Sequence, residues 1–250
     1  MLSSHQPHPS PAPLGAAKYV LRYLKGTKDK GIVFSSRPNP HLEAFNTFKY
    51  KPNQLIGLSD ANWGPQDSSP PNSKSAPTVP LHTSRSQLGF VLFLFGPIAW
   101  VSTRNKTTSR SSCEAEIFAT DECVKVFQNI KHILEDLDMK ELINMPTPIY
   151  NDNTGCIAWS NTVTNRNLRH IQMRENVIRE NIVLKYIQIL HCDGKENIAD
   201  IFTKEDKDKQ HFLMLRDALV QDPLQISQFN KQRIKPRTEE TADTVSFHHD

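Results

Sequence analysis

Residues 55–64 read LIGLSDANWG: a short apolar run that ends in an acid, Asp60, and breaks at once into turn formers. Asp and Asn ahead of a Gly commonly bond their own backbone, so the stretch taken alone is a strand closing in a turn. Three further acids change its meaning. Glu116 stands near the start of a long helical pattern, Asp152 just past a second short apolar run, and Asp200 near another helix start. Four acids delivered from the ends of separate elements form a set that can meet around metal ions, because oxygen is the ligand Mg²⁺ takes.

After Trp63, residues 65–84 hold five prolines among Ser, Asn and Thr, a composition that predicts a surface loop or disordered insertion. Residues 88–94 (LGFVLFL) and 98–102 then predict a β-hairpin turned at Phe95, Gly96 and Pro97, since aromatic and branched side chains suit a pleated sheet. The connection that follows carries Arg104, Lys106 and Arg110. Over residues 112–137 the side chains of Ile117, Thr120, Val124, Phe127, Ile130, Leu134 and Leu137 recur at steps of three and four and predict a long amphipathic helix. Ser111 and Glu114 form a capping box ahead of it, in which the glutamate reaches back to the cap. Glu116 has no capping duty and stands beside the apolar stripe, although a carboxylate in the first turn also complements the helix dipole.

Further on, residues 148–151 read as a strand, and Asn153 caps a short helix through Trp159. Residues 169–181 predict a helix, 183–192 a strand-rich run, and 197–202 and 209–220 two more helices. Ahead of the opening stretch, residues 14–25 predict a helix stopped by Gly26, 31–35 a strand, and 37–52 a loop that is ambiguous over 45–50. The ends, 1–13 and 222–250, are polar or proline-rich without periodicity and predict disorder.

At 250 residues the chain suits one good-sized domain with ragged ends. A net charge of +3 makes it no polycation, so any nucleic-acid surface is a local patch. Cys113, Cys123, Cys156 and Cys192 form no C-x-x-C pair and follow no signal peptide, which predicts reduced thiols and an intracellular protein, cytoplasmic or nuclear. The longest apolar stretch, 88–101, is broken by Gly96 and Pro97 and falls short of the roughly 20 residues a spanning helix needs.

The elements give an α/β order with helices covering a sheet, and in such folds sites gather beyond the carboxyl ends of strands. In order and spacing, GLSDANWG (57–64), LGFVLFLFGPIAWVS (88–102), SSCEAEIFA (111–119), PIYNDNTGCIA (148–158), RHIQMRENVIRE (169–180) and ENIADIFTK (196–204) resemble the ribonuclease H domain of copia-type LTR retrotransposon polyproteins. AAKYVLRYLKGTKDKGIVF (16–34) resembles the end of the reverse transcriptase and its connection to that domain. The resemblance implies a ribonuclease H-like fold, a five-stranded mixed sheet flanked by helices. It also implies an endonuclease, a hydrolase that cuts the RNA strand of an RNA–DNA hybrid with two Mg²⁺ ions, for which Mn²⁺ can substitute. Carried across, the metal-binding and catalytic acids are Asp60, Glu116, Asp152 and Asp200.

By the same resemblance, residues 14–50 are a remnant of the reverse transcriptase and connection, 54–220 the ribonuclease H-like domain with an insertion at 65–84, and 221–250 a tail. His191 lies near the place of an auxiliary histidine, with a surface histidine at a strand end as the alternative. Arg104, Lys106 and Arg110 precede a helix N-terminus, a good place for phosphate, although a solvated basic loop accounts for them as well. His170 matches a family position and offers a phosphate contact or helix-start packing. Partners are then the hybrid and, in a full polyprotein, the reverse transcriptase, with no membrane. Two other functional classes stay open: an inactive remnant that keeps the fold and weak nucleic-acid binding, and an integrase- or transposase-type nuclease using three acids.

Overall fold

The run that ends in Asp60 forms the middle strand of a sheet. In a computed structural model, residues 11–37, 39–48, 50–64, 85–143, 145–161, 172–204 and 208–222 are described. The predicted disorder of residues 1–10 and 223–250, the insertion at 65–84 and His170 lie outside them. The strands are β1 (Ile56–Asn62), β2 (Gln87–Phe93), β3 (Pro97–Arg104), β4 (Thr147–Asn151) and β5 (Ile187–His191). They pair in the order β3-β2-β1-β4-β5. β1, β2 and β3 are antiparallel neighbours, whereas β1, β4 and β5 run parallel. With its flanking helices this is the five-stranded mixed sheet expected of a ribonuclease H-like fold.

Alternation along the strands divides the core between the two sheet faces. Phe90 and Leu92 of β2 join Ile149, Ile187 and Ile189 under helix α3 (Ser112–Asp136) and helix α5 (Gln172–Val183), which contribute Ile117, Val124, Phe127 and Ile178. On the opposite face Val91, Phe93, Ile56 and Leu58 pack with Leu215 and Ala218 of helix α7 (Lys209–Leu219). Leu42 of helix α2 (Pro40–Glu43) and Phe45 and Phe48 fill the same face, with Phe48 5.3 Å from the Tyr150 ring. The ambiguous stretch before β1 is therefore irregular in backbone yet buried by its aromatics, each large side chain contributing roughly 1.5–3 kcal/mol. Helices α4 (Thr154–Ser160) and α6 (Asp200–Thr203) complete the layers.

Contacts divide the chain into two units. One comprises Ile32–Val220 and holds the whole sheet. The other holds helix α1 (Pro11–Gly26) and an isolated bridge between Gly31 and Gln221. Among the described residues no helix is long and apolar enough to cross a membrane, and all four cysteines are free.

Several local expectations need correction. Gly31 forms only that bridge, and residues 32–35 form no strand. α1 begins at Pro11 rather than at residue 14, since a proline in the first turn forfeits no helical hydrogen bond. The run 183–192 divides: Val183 still belongs to α5, which ends through Lys185 at φ 57° with the Tyr186 N–H bonded to the Asn181 carbonyl at 2.9 Å. A lysine thus takes the left-handed position that glycine usually fills, a stop that composition does not announce. The helix expected from residue 197 begins at Asp200, because the Asn197 side chain is used in the preceding turn, where its Oδ1 accepts from the Ala199 N–H at 3.2 Å.

Candidate active site

Parallel pairing of β1 with β4 (Gly57 beside Ile149, Leu58 beside Tyr150) sends Asp60 and Asp152 out at the same end of the sheet. α6 reaches that end because it lies directly on β2 at Gly89, where a Cβ would stand 2.7 Å from Thr203 Cγ2 and 2.8 Å from Phe202 Cβ. Asp200, the first residue of α6, is thereby set beside the other two. Carboxylate oxygens of Asp60, Asp152 and Asp200 all lie within 4.8 Å of one another. Their side chains are 1%, 21% and 11% exposed, so Asp60 forms the floor and Asp152 faces outward.

Glu116 comes from the first turns of α3 and stands outside that set of three, held by the amide of Asn151, the residue before Asp152. Asn151 Nδ2 donates to Glu116 Oε2 at 3.0 Å and also to the Ser59 carbonyl at 3.2 Å. Asn197 Nδ2 donates to the same carbonyl at 3.0 Å. Two side-chain amides from distant segments thus fix the backbone immediately before Asp60. Ser111 caps α3 as expected, accepting from the Glu114 N–H at 3.1 Å. Glu114 Oε2, however, accepts from the Arg110 N–H at 2.5 Å, one residue earlier than a standard capping box.

Bringing acids together out of water raises their proton affinity. Burial, then the nearby Asp60 charge, pushes the Glu116 carboxyl up to about 9 against a partial offset from Asn151. The same two causes push Asp200 up to about 7 and raise Asp152. Lys204 opposes them. Its Nζ lies 2.7 Å from Asp200 Oδ1, 3.1 Å from Asp60 Oδ1 and 3.9 Å from Asp152 Oδ2. The Thr203 hydroxyl donates to Asp60 Oδ2. A donor set of hard carboxylate oxygens without nitrogen or sulfur suits Mg²⁺ or Mn²⁺.

His191 ends β5, exposed and paired with Asn151, and its positive charge when protonated lowers the proton affinity of Asp152. Arg104 is the last residue of β3 and half-buried, and Lys106 and Arg110 lie exposed on the connection from β3 to α3. That connection is shaped by Ser109, which accepts from Ser86 at 3.2 Å and from Asn105 at 3.3 Å, while its carbonyl accepts from Trp63 Nε1 at 3.0 Å. Sequence reasoning missed Lys204, Thr203, Asn151 and Asn197. For Lys204 a signal was available, since it stands four residues after Asp200, the spacing at which helical side chains meet.

No protein-family model matches the chain. Among curated proteins it is 29% identical over 206 residues to the retrovirus-related Pol polyprotein from transposon RE2 of Arabidopsis thaliana, covering 81% of this chain. It is 27% identical over 210 residues to the transposon Ty1-DR1 Gag-Pol polyprotein of Saccharomyces cerevisiae, again covering 81% of this chain. Its homologues are retrotransposon Pol polyproteins. The chain spans 10–12% of the length of these relatives. Similar solved structures include LC11-RNase H1 isolated from compost by a metagenomic approach, at 13% identity and a TM-score of 0.41, covering 60% of this chain and 93% of that one. The prototype foamy virus protease-reverse transcriptase is similar at 18% identity and a TM-score of 0.37, covering 74% of this chain and 22% of that one.

Proposed function

We propose that the chain is a ribonuclease H-type nuclease of retrotransposon origin that cuts the RNA strand of RNA–DNA hybrids with divalent metal. The observation that carries this reading is the convergence of Asp60, Asp152 and Asp200 within 4.8 Å beside the carboxyl ends of the parallel strands β1 and β4 of a five-stranded mixed sheet, in a chain homologous to Pol polyproteins. Asp60, Glu116, Asp152 and Asp200 hold two Mg²⁺ ions, and Mn²⁺ substitutes for them. Bound there, the metal supplies activation of a water and neutralisation of charge on the departing oxygen. The protein's own groups set the geometry: Asn151 aims Glu116, Thr203 holds one oxygen of Asp60, and the amides on the Ser59 carbonyl fix the strand from which Asp60 projects. His191, whose strand partner Asn151 precedes Asp152, serves as the auxiliary histidine. Arg104, Lys106, Arg110 and His170 provide phosphate contacts, which carry affinity without reading sequence.

On this reading residues 54–220 form the nuclease and 14–50 the end of a reverse transcriptase with its connection, so that the polymerase of a longer polyprotein is the partner that presents the hybrid. Such a substrate places the protein inside the cell, in the cytoplasm or nucleus. The test is cleavage of a labelled RNA–DNA hybrid beside the Asp60→Asn variant. The RNA strand is cut in Mg²⁺ or Mn²⁺, spared in chelator and spared by the variant. A hybrid left intact across a range of both ions, under conditions in which an intact related enzyme cuts it, removes the proposal.

A second reading, a remnant that binds hybrid without cutting it, is favoured by Lys204, whose ammonium stands among the carboxylates. Binding without cleavage, unchanged by Asp60→Asn, selects that reading.

A further inference from the structure

Lys204 follows α6 directly, and its side chain folds back over the first residue of that helix. The three carboxylates it approaches, at 2.7, 3.1 and 3.9 Å, are the same three whose oxygens lie within 4.8 Å of one another. An ammonium has three protons and no lone pair, so it serves carboxylate acceptors much as a metal cation does. At Asp60 the two roles collide on one atom. Asp60 Oδ2 already accepts from the Thr203 hydroxyl, and Oδ1 is taken by Lys204. The lysine also has a way out: its side chain is 36% exposed against 1% for Asp60, and its four-carbon stem is flexible.

Resting on the reading of this cluster as a metal site, we propose that Lys204 is a resident counter-ion, a positioning residue that occupies the carboxylate oxygens a divalent cation uses and leaves them when the cation enters. Without metal it holds buried like charges together. With metal its ammonium is released toward the open side of the site, where a phosphate of bound nucleic acid offers the replacement partner. Metal entry and nucleic-acid arrival are then linked through one side chain, because whatever draws Lys204 outward frees oxygens for the ion.

A purely structural ion pair makes the opposite forecast. Removing it would leave the acids mutually repelled, loosen the cluster and weaken or leave unchanged the binding of metal. The experiment is a calorimetric titration of Mn²⁺ into the metal-stripped full chain, wild type against Lys204→Met, with circular dichroism as the check on folding. The variant is expected to bind Mn²⁺ about tenfold or more tightly, the scale on which one charge at this range shifts an ionisation. It should also melt lower than wild type without metal and recover with it. Independently of any variant, side-chain ¹⁵N spectra of the wild-type lysines should show the Lys204 ammonium signal displaced on Mg²⁺ addition.

Equal or weaker Mn²⁺ binding by a folded Lys204→Met overturns the proposal and leaves the metal-site reading intact, as does a Lys204 signal unmoved at Mg²⁺ saturation. Absence of binding by both proteins overturns the two together.

Discussion

Glu116 and Asp200 keep protons that exposed carboxylates give up well below neutral pH, Glu116 up to about 9 and Asp200 up to about 7. In the unfolded chain Glu116 loses its proton near 4.5. Between those limits the folded state therefore binds more protons than the unfolded one, and stability must fall as pH rises. The metal-free protein is expected to melt at progressively lower temperature from about pH 5 to about pH 9, and Glu116→Gln should flatten that decline. Melts in chelator across the range measure it; identical slopes for the two proteins would contradict the assignment. Asn151 acts through Glu116 and the Ser59 carbonyl, so Asn151→Ala should reduce Mn²⁺ affinity by about 10–100-fold, the usual cost of an outer partner of a metal ligand. Unchanged affinity in the titration would remove Asn151 from the site. The convergence of Asp60, Asp152 and Asp200 was anticipated in the sequence, because each acid stands near the end or the start of an element. Asn151 and Asn197 were not, since what defines them is a shared carbonyl on β1, far from both in the chain.

At the scale of elements, Gly89 decides how closely α6 approaches the sheet. Gly89→Ala places a methyl against Thr203 and Phe202 at 2.7–2.8 Å, an overpacking expected to cost about 1–3 kcal/mol in urea unfolding. Because α6 carries Asp200 and is followed by Lys204, the same change should weaken Mn²⁺ binding as well. A loss of stability with metal affinity unchanged would mean that α6 tolerates displacement. Strong periodicity made α3, the β2–β3 hairpin and the short helix capped by Asn153 readable to within a residue or two. Elements whose limits depend on tertiary partners were less so. α5 ends at a lysine in left-handed conformation, α6 is shortened by the side-chain bond of Asn197, and the stretch expected to be loop over 37–52 holds the one-turn helix α2, capped by Asn39, followed by an irregular backbone that hides the buried aromatics Phe45 and Phe48.

Across the whole molecule, the facing ends of β1 and β2 do not require a long connection. Asn62 faces Gln87 in antiparallel register, so the strand ends already stand side by side, and a tight turn is enough to connect them. Replacing residues 65–84 with a short Gly-containing turn should leave Mn²⁺ binding intact and raise stability by about 1 kcal/mol through the smaller loop-closure cost. Loss of metal binding in that variant, read by the same titration, would make the insertion part of the site. The candidate ligands are scattered differently: Asp60 is early, Glu116 and Asp152 intermediate, and Asp200 with Lys204 comes almost at the close of the sheet unit. Synthesis runs in that order. A chain growing from its N-terminus has no complete acidic cluster until α6 has been made. Asp200 and Lys204 are four residues apart in one segment, so the final acid and the lysine that neutralises it arrive together and the cluster is never assembled without its own cation.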